Sequence, residues 1–234
     1  MAELWPGGPV YEGGGAFPVT TDSVLLADFA RVKPAARVFE PCCGAGLISL
    51  LLLAGEPRLE VMALELDAAA AAAARANFAA NGFEAAVSCG DLRVRQALPG
   101  PNYCDLAVCN PPYFAAGSGK TAAGAARAAA RSETECTFSD VCRAAAYSLK
   151  QGGRFAFVHR AERLAEVFAA LAAERLEPKR LRFVQHRAES APGLFLCEAA
   201  RLAAPGLKVE PPLVLCGPEG AESAEFRRIY HLEG

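Results

Sequence analysis

Asn110-Pro111-Pro112-Tyr113, with Phe114 behind it, is the segment of this 234-residue chain best suited to chemistry. Proline cannot donate to a sheet ladder, so a strand running into this segment must stop there. Two prolines also fix φ and hold the backbone carbonyls in place. The side-chain carbonyl of Asn110 and the main-chain carbonyl of Pro111 can each accept a hydrogen bond from one planar amino group. That grip turns the nitrogen lone pair towards an electrophile. Tyr113 can stack on the ring carrying the amine. No general base is required before attack, because the proton leaves after nitrogen has gained its new bond.

Three acids precede this turn. Glu40, Glu65, Asp91 and Asn110 are separated by 25, 26 and 19 residues, about one strand–helix unit each. The elements between them explain the spacing. Arg37–Glu40 reads as a first strand, and Gly44-Ala45-Gly46 opens a helix over Leu47–Ala54. Glu60–Leu66 is a second strand, followed by an alanine-rich helix over Asp67–Asn81. Ala86–Cys89 and Asp105–Cys109 are the third and fourth strands. A helix over Phe138–Leu149, a strand at Arg154–His159 and a helix over Arg160–Leu176 follow. Arg180–Gln185 and Leu196–Leu202 predict an antiparallel pair, Pro211–Cys216 a short edge strand and 222–230 a short helix. Before the first strand, residues 1–19 read as a loose lead-in, and Thr21 or Asp22 as the cap of a helix ended by Pro34.

This alternation predicts a doubly wound, Rossmann-like α/β fold: a seven-stranded, mostly parallel sheet with an antiparallel end and helices on both faces. Ligands bind such sheets beyond the carboxyl ends of the strands. The four polar residues should therefore share one edge. The glycine turn lets a ligand approach the backbone at a helix N-terminus, but it is not the G-x-G-x-x-G of a dinucleotide site. Glu65 can accept two hydrogen bonds from a ribose diol, and Asp91 one from an adenine amino group.

Composition sets limits. Hydrophobic residues make up 53% and charged residues 21%, which excludes disorder. The net charge of −2 excludes a globally basic nucleic-acid binder but not a local basic patch. Nine cysteines without any Cys-x-x-Cys suggest reduced, buried thiols in a cytoplasmic protein, with no metal site. No apolar run is long enough to cross a membrane, and the first residues lack a secretory-signal pattern. A monomer is the default expectation.

The Gly-x-Gly turn, Glu65, Gly90-Asp91-Leu92 and Asn110–Phe114 together resemble the class I S-adenosylmethionine-dependent methyltransferases, and more narrowly the small-domain group that methylates exocyclic amines. Phe17–Ala27 and Lys150–Arg163 are also similar to that group. The tail, with Pro211–Leu215, Gly220 and Ile229-Tyr230, resembles the bacterial enzymes that methylate adenine N6 in the anticodon loop of a valine tRNA. The resemblance runs from about residue 10 to 231. It implies residues 1–36 as a lead-in and helix covering the cofactor site, and 37–234 as the methyltransferase domain.

The resemblance also implies roles. Gly44 and Gly46 make room for the methionine part of S-adenosylmethionine, and Glu40 holds its amino group. Glu65 takes the ribose hydroxyls, Leu66 packs on the adenine, and Asp91 binds its N6 beside Leu92. Thr20, Thr21 and Asp22 close the methionine end. Asn110, Pro111, Pro112 and Tyr113 form the catalytic turn. Cys42 stands where the family's first glycine is usual, and Ser132 where it often has histidine.

An RNA substrate also needs cations for its phosphates and a base unstacked into the pocket. Lys120, Arg127 and Arg131 follow the catalytic turn with no acid among 115–131. Arg180 and Arg182 lie in a second basic stretch, 175–187, with a single acid. His159, ending a strand near the site, fits a satisfied polar residue better than a catalyst. The leading reading is methylation of adenine N6 in tRNA. The alternatives are an rRNA guanine N2, a protein glutamine side chain, or an inactive cofactor-binding module.

Overall fold

Successive strand residues point to opposite sides of the sheet, and each side meets its own set of helices. In a computed structural model, described for residues 1–13, 17–111, 136–217 and 219–232, Val38, Val61, Leu106, Val108 and Val158 face one apolar layer. Phe39, Leu64, Ala107, Phe155 and Phe157 face the other. The first layer is completed by α1 (Thr21–Phe29), α2 (Leu47–Gly55) and α3 (Ala68–Ala80). The second is completed by α4 (Phe138–Ser148) and α5 (Leu164–Ala173).

The main strands are β3 (Arg37–Pro41), β4 (Glu60–Glu65), β5 (Ala85–Cys89), β6 (Cys104–Cys109), β7 (Leu149–Arg160), β8 (Leu176–Gln185) and β9 (Leu194–Arg201). The sheet order is β8-β9-β7-β6-β3-β4-β5, with β3 to β7 parallel and β9 antiparallel to both neighbours. The expected seven-stranded, doubly wound sheet is therefore present. Two short strands, β10 (Lys208–Val209) and β11 (Leu213–Val214), extend it by pairing parallel to β8.

From β3 the chain winds outwards through β4 to β5. It then returns to the other side of β3 as β6. The switch point lies between β3 and β6, the place at the carboxyl edge where open α/β sheets bind ligands. Because β9 reverses direction twice, β8 again points its C-terminus to that edge.

Several elements differ from their sequence reading. Residues 1–19 are not loose throughout. Ala2–Glu3 (β1) and Val10–Tyr11 (β2) form a small antiparallel hairpin docked on α3. Asn81 accepts from Val10 N (2.8 Å) and donates to Val10 O (2.8 Å). Asn77, fully buried, accepts from Glu12 N (2.9 Å) and donates to Glu12 O (3.1 Å) and Ala45 O (2.9 Å). Side-chain amides thus act as extra backbone for a short segment that lacks partners of its own. The cap of α1 is Thr20, whose side chain accepts from Ser23 N, and not Thr21 or Asp22. The helix expected over Arg160–Leu176 begins as a 3-10 turn at Ala161–Arg163 and ends at Ala173, leaving Leu176 to open β8.

Asn77→Ala should cost about 2–3 kcal/mol, because it removes three hydrogen bonds made by a buried amide to Glu12 N, Glu12 O and Ala45 O. Urea denaturation would measure this.

Candidate active site

Glu65 is the last residue of β4 and ties the glycine turn to the next helix. Its Oε2 accepts from Gly44 N (2.8 Å) and its Oε1 from Asp67 N (3.0 Å). Asp67 in turn caps α3 by accepting from Ala70 N (2.8 Å). An ionised carboxylate has about four acceptor positions, so two remain for a diol. Leu66 beside it is 48% exposed, an apolar surface at the mouth of the site. Both features fit the nucleoside end of S-adenosylmethionine.

Glu40 lies one residue inside the end of β3 and is 1% exposed. It accepts from Ser49 N (3.1 Å) and from the Ser49 hydroxyl in the first turn of α2. Burial pushes its pKa up to about 7 despite these bonds, and the charge of nearby Glu65 adds to the rise. Tyr11, reaching in from the hairpin, donates to Phe17 O (2.9 Å). Its phenol is pushed up to about 12 by burial, with Glu40 contributing.

Gly44 and Gly46 both have positive φ, 54° and 81°. Their lack of a Cβ is needed for packing as well. A Cβ on Gly44 would strike the Phe17 ring at 2.7 Å, and one on Gly46 the Phe78 ring at 2.8 Å. The side of Gly46 where a Cβ would stand is thus filled by α3 and offers a ligand no room. Cys42, at the position of the family's usual first glycine, also has a left-handed φ of 57°. A side chain there costs about 1–2 kcal/mol. The neighbouring Cys109 thiol, with burial, holds the Cys42 pKa well above the ordinary thiol range, while Cys136 acts the other way. Cys109 in turn donates to Pro41 O (3.2 Å), joining β6 to β3 at the switch point.

Asp91 follows β5 and holds Arg93 through both carboxylate oxygens (2.6 and 3.0 Å). That guanidinium keeps its carboxyl below the usual range. Leu92 is buried beside it. Burial pushes the Tyr230 phenol above its ordinary pKa, and the neighbouring Thr21 side chain at the start of α1 acts the other way.

Asn110 stands at the end of β6, directly beyond the switch point, and Pro111 after it is buried. The Asn110 Nδ2 donates to Ser23 Oγ (3.0 Å). Its Oδ1 is buried and accepts no hydrogen bond from any described residue. A buried carbonyl left without a donor costs about 1–3 kcal/mol, so this atom suits a donor brought by a ligand. Pro112, Tyr113, Lys120, Arg127, Arg131 and Ser132 lie outside the described residues.

The chain from 19 to 177 matches the family model "Methyltransferase small domain". The chain belongs to this family. A Porphyromonas gingivalis relative, a tRNA1(Val) (adenine(37)-N6)-methyltransferase, is 33% identical over 193 residues, 79% of this chain and 75% of its own length. An Aeromonas hydrophila protein of the same name is 41% identical over 105 residues, 44% of this chain and 43% of its own. Among solved structures, a predicted O-methyltransferase from Agrobacterium tumefaciens superposes with a TM-score of 0.74 at 21% identity, covering 90% of this chain and 96% of that one. TrmN from Thermus thermophilus gives 0.57 at 22% identity, covering 77% and 48%.

Arg180 and Arg182, expected to grip RNA, are instead engaged within the protein. Arg180 is buried, pairs with Glu198 (3.4 Å) and Glu210 (2.9 Å), and stacks over Phe29. Arg182 pairs with Glu225 (2.7 Å) and donates to Pro211 O (3.0 Å). Both join the C-terminal segments to the sheet. His159 is the satisfied polar residue anticipated: buried, it accepts from Arg160 N (2.9 Å) at Nδ1 and packs against Phe138 and Phe195. Burial pushes its pKa down to about 4. Sequence reasoning missed Ser23, Tyr11 and Asn77. The signal for Ser23 was a polar side chain at the head of the apolar run Val24, Leu25 and Leu26 in α1.

Glu40 also makes stability depend on pH. The unfolded carboxyl ionises near 4.5 and the folded one near 7. The stability from its retained proton is complete below the unfolded value and is lost as pH rises through the folded one. Glu40→Gln keeps an acceptor for Ser49 but cannot ionise. Thermal melts should show it about 7–14 °C above the parent at pH 8, with no gain at pH 4.5.

Proposed function

We propose that this protein transfers a methyl group from S-adenosylmethionine to the exocyclic N6 amine of an adenine in tRNA, and that it works in the cytoplasm. One observation carries the reading: the buried, donorless Oδ1 of Asn110, held at the switch point of a methyltransferase fold and followed at once by Pro111. An aromatic amine is the donor that such an acceptor lacks. The P. gingivalis and A. hydrophila relatives support adenine N6 of tRNA as the target.

The chain's own residues divide the work. Glu65 receives the ribose hydroxyls on its two remaining acceptor positions. Leu66 covers the cofactor's adenine, and Asp91 accepts from its amino group while still holding Arg93. Glu40, poised near neutrality, becomes a carboxylate when the cofactor's ammonium group lies close, because an adjacent positive charge favours the ionised form. When bound, S-adenosylmethionine supplies an electrophilic methyl group on its sulfonium. Asn110 Oδ1 and the Pro111 carbonyl hold the two amine hydrogens and aim the nitrogen lone pair, so that orientation provides much of the acceleration. Tyr113 stacks on the base. His159 acts as no base, since its Nδ1 is engaged and its ring is buried. Lys120, Arg127 and Arg131 grip RNA phosphates, which makes binding salt-dependent.

Methyl transfer to unmodified tRNA, followed by nucleoside mass spectrometry, tests the proposal. N6-methyladenosine should form with the parent protein. Asn110→Ala should lower the rate by about 100-fold or more while cofactor affinity stays within about twofold. Equal loss of both would remove Asn110 from the reaction. Glu65→Ala should weaken calorimetric cofactor binding by at least about tenfold, as expected for a charged acceptor of two hydrogen bonds.

A further inference from the structure

We infer that Ser23 is a positioning residue for the transfer step: its hydroxyl holds the Asn110 amide so that the carbonyl end faces the substrate amine. The inference rests on the proposed amine methylation. An amide side chain has one accepting and one donating end, and only the accepting end can receive an amine. If it were turned over, –NH2 would oppose –NH2 and the grip would fail. Within the described residues, a single contact sets the choice, the 3.0 Å hydrogen bond from Asn110 Nδ2 to Ser23 Oγ.

Ser23 is itself held. It is buried in the first turn of α1. Its Oγ also accepts from Thr20 Oγ1 (3.0 Å), and its backbone N donates to the same Thr20 oxygen (3.4 Å). The two acceptor positions of the hydroxyl are thereby filled by Thr20 and Asn110. Thr20 is the N-cap of a helix anchored by Leu25, Leu26 and Phe29 in the core. A short chain of hydrogen bonds, Thr20 to Ser23 to Asn110, thus connects the start of a buried helix to the catalytic turn. With Nδ2 turned towards Ser23, Oδ1 is left, among the described residues, as a buried atom without a donor. Ser23 does not touch the reacting atoms. It acts through Asn110.

The test compares single-turnover methyl transfer to tRNA by the parent, Ser23→Ala and Ser23→Thr, with cofactor affinity measured by calorimetry. Ser23→Ala should slow the transfer step by about 10- to 100-fold, as small misplacements of a positioned group do, with cofactor affinity and KM for tRNA within about twofold. Ser23→Thr, which keeps the hydroxyl, should recover most of the rate. A merely structural role would lower cofactor affinity and rate together and would overturn the inference. So would transfer by Ser23→Ala at the parent rate. If Ser23→Ala does not fold, the near-isosteric Ser23→Cys, a poor acceptor, serves in its place, and parent-like transfer by it overturns the inference equally. Failure of the parent itself to methylate tRNA would remove the functional reading and this inference with it. Parent activity combined with an undisturbed serine variant would remove the inference alone.

Discussion

β3 pairs with β4 on one side and β6 on the other, and this double pairing governs where every functional group can stand. Parallel strands share a direction, so their C-terminal residues gather at one edge. Glu40 is set opposite Ala63, one strand pair away from Glu65, and Asn110 follows the strand on the opposite flank. The glycine turn crosses the gap between them. Without β6 returning to the far side of β3, Asn110 and Glu65 would not flank β3 at one edge.

The groups at this edge are held by their own protein before any ligand arrives. Glu65 fastens the glycine turn, Glu40 fastens the first turn of α2, Asp91 holds Arg93, and Asn110 is tied to α1. Such preorganisation means that orientation is set during folding and need not be supplied at the moment of reaction. The exception is Asn110 Oδ1, whose hydrogen bond is left unmade among the described residues. Among the described residues it is the buried side-chain acceptor left open, which is why the proposed reaction centre is placed there.

The basic residues show how local charge counting goes astray. Arg180 and Arg182 lie in a stretch of sequence with one acid. Their partners Glu198, Glu210 and Glu225 lie 18, 30 and 43 residues further on. A window of neighbouring residues cannot register acids delivered by a hairpin and a returning tail. These pairs instead attach β9 and the C-terminal segments to β8.

The order of the seven main strands and of the helices between them, the parallel sheet and the placing of Glu40, Glu65, Asp91 and Asn110 at one edge were determined by the sequence alone. Their signals are local: two-residue and 3.6-residue periodicities, glycine and proline punctuation, and acids spaced by one strand–helix unit. Tertiary structure alone decided what those side chains touch. Ser23 meets Asn110 across 87 residues, Asn77 meets Glu12 across 65, and Arg180 is enclosed by acids from two other segments. Hydrogen bonds and ion pairs form between groups that folding brings within about 3 Å, and no periodicity along the chain encodes that proximity.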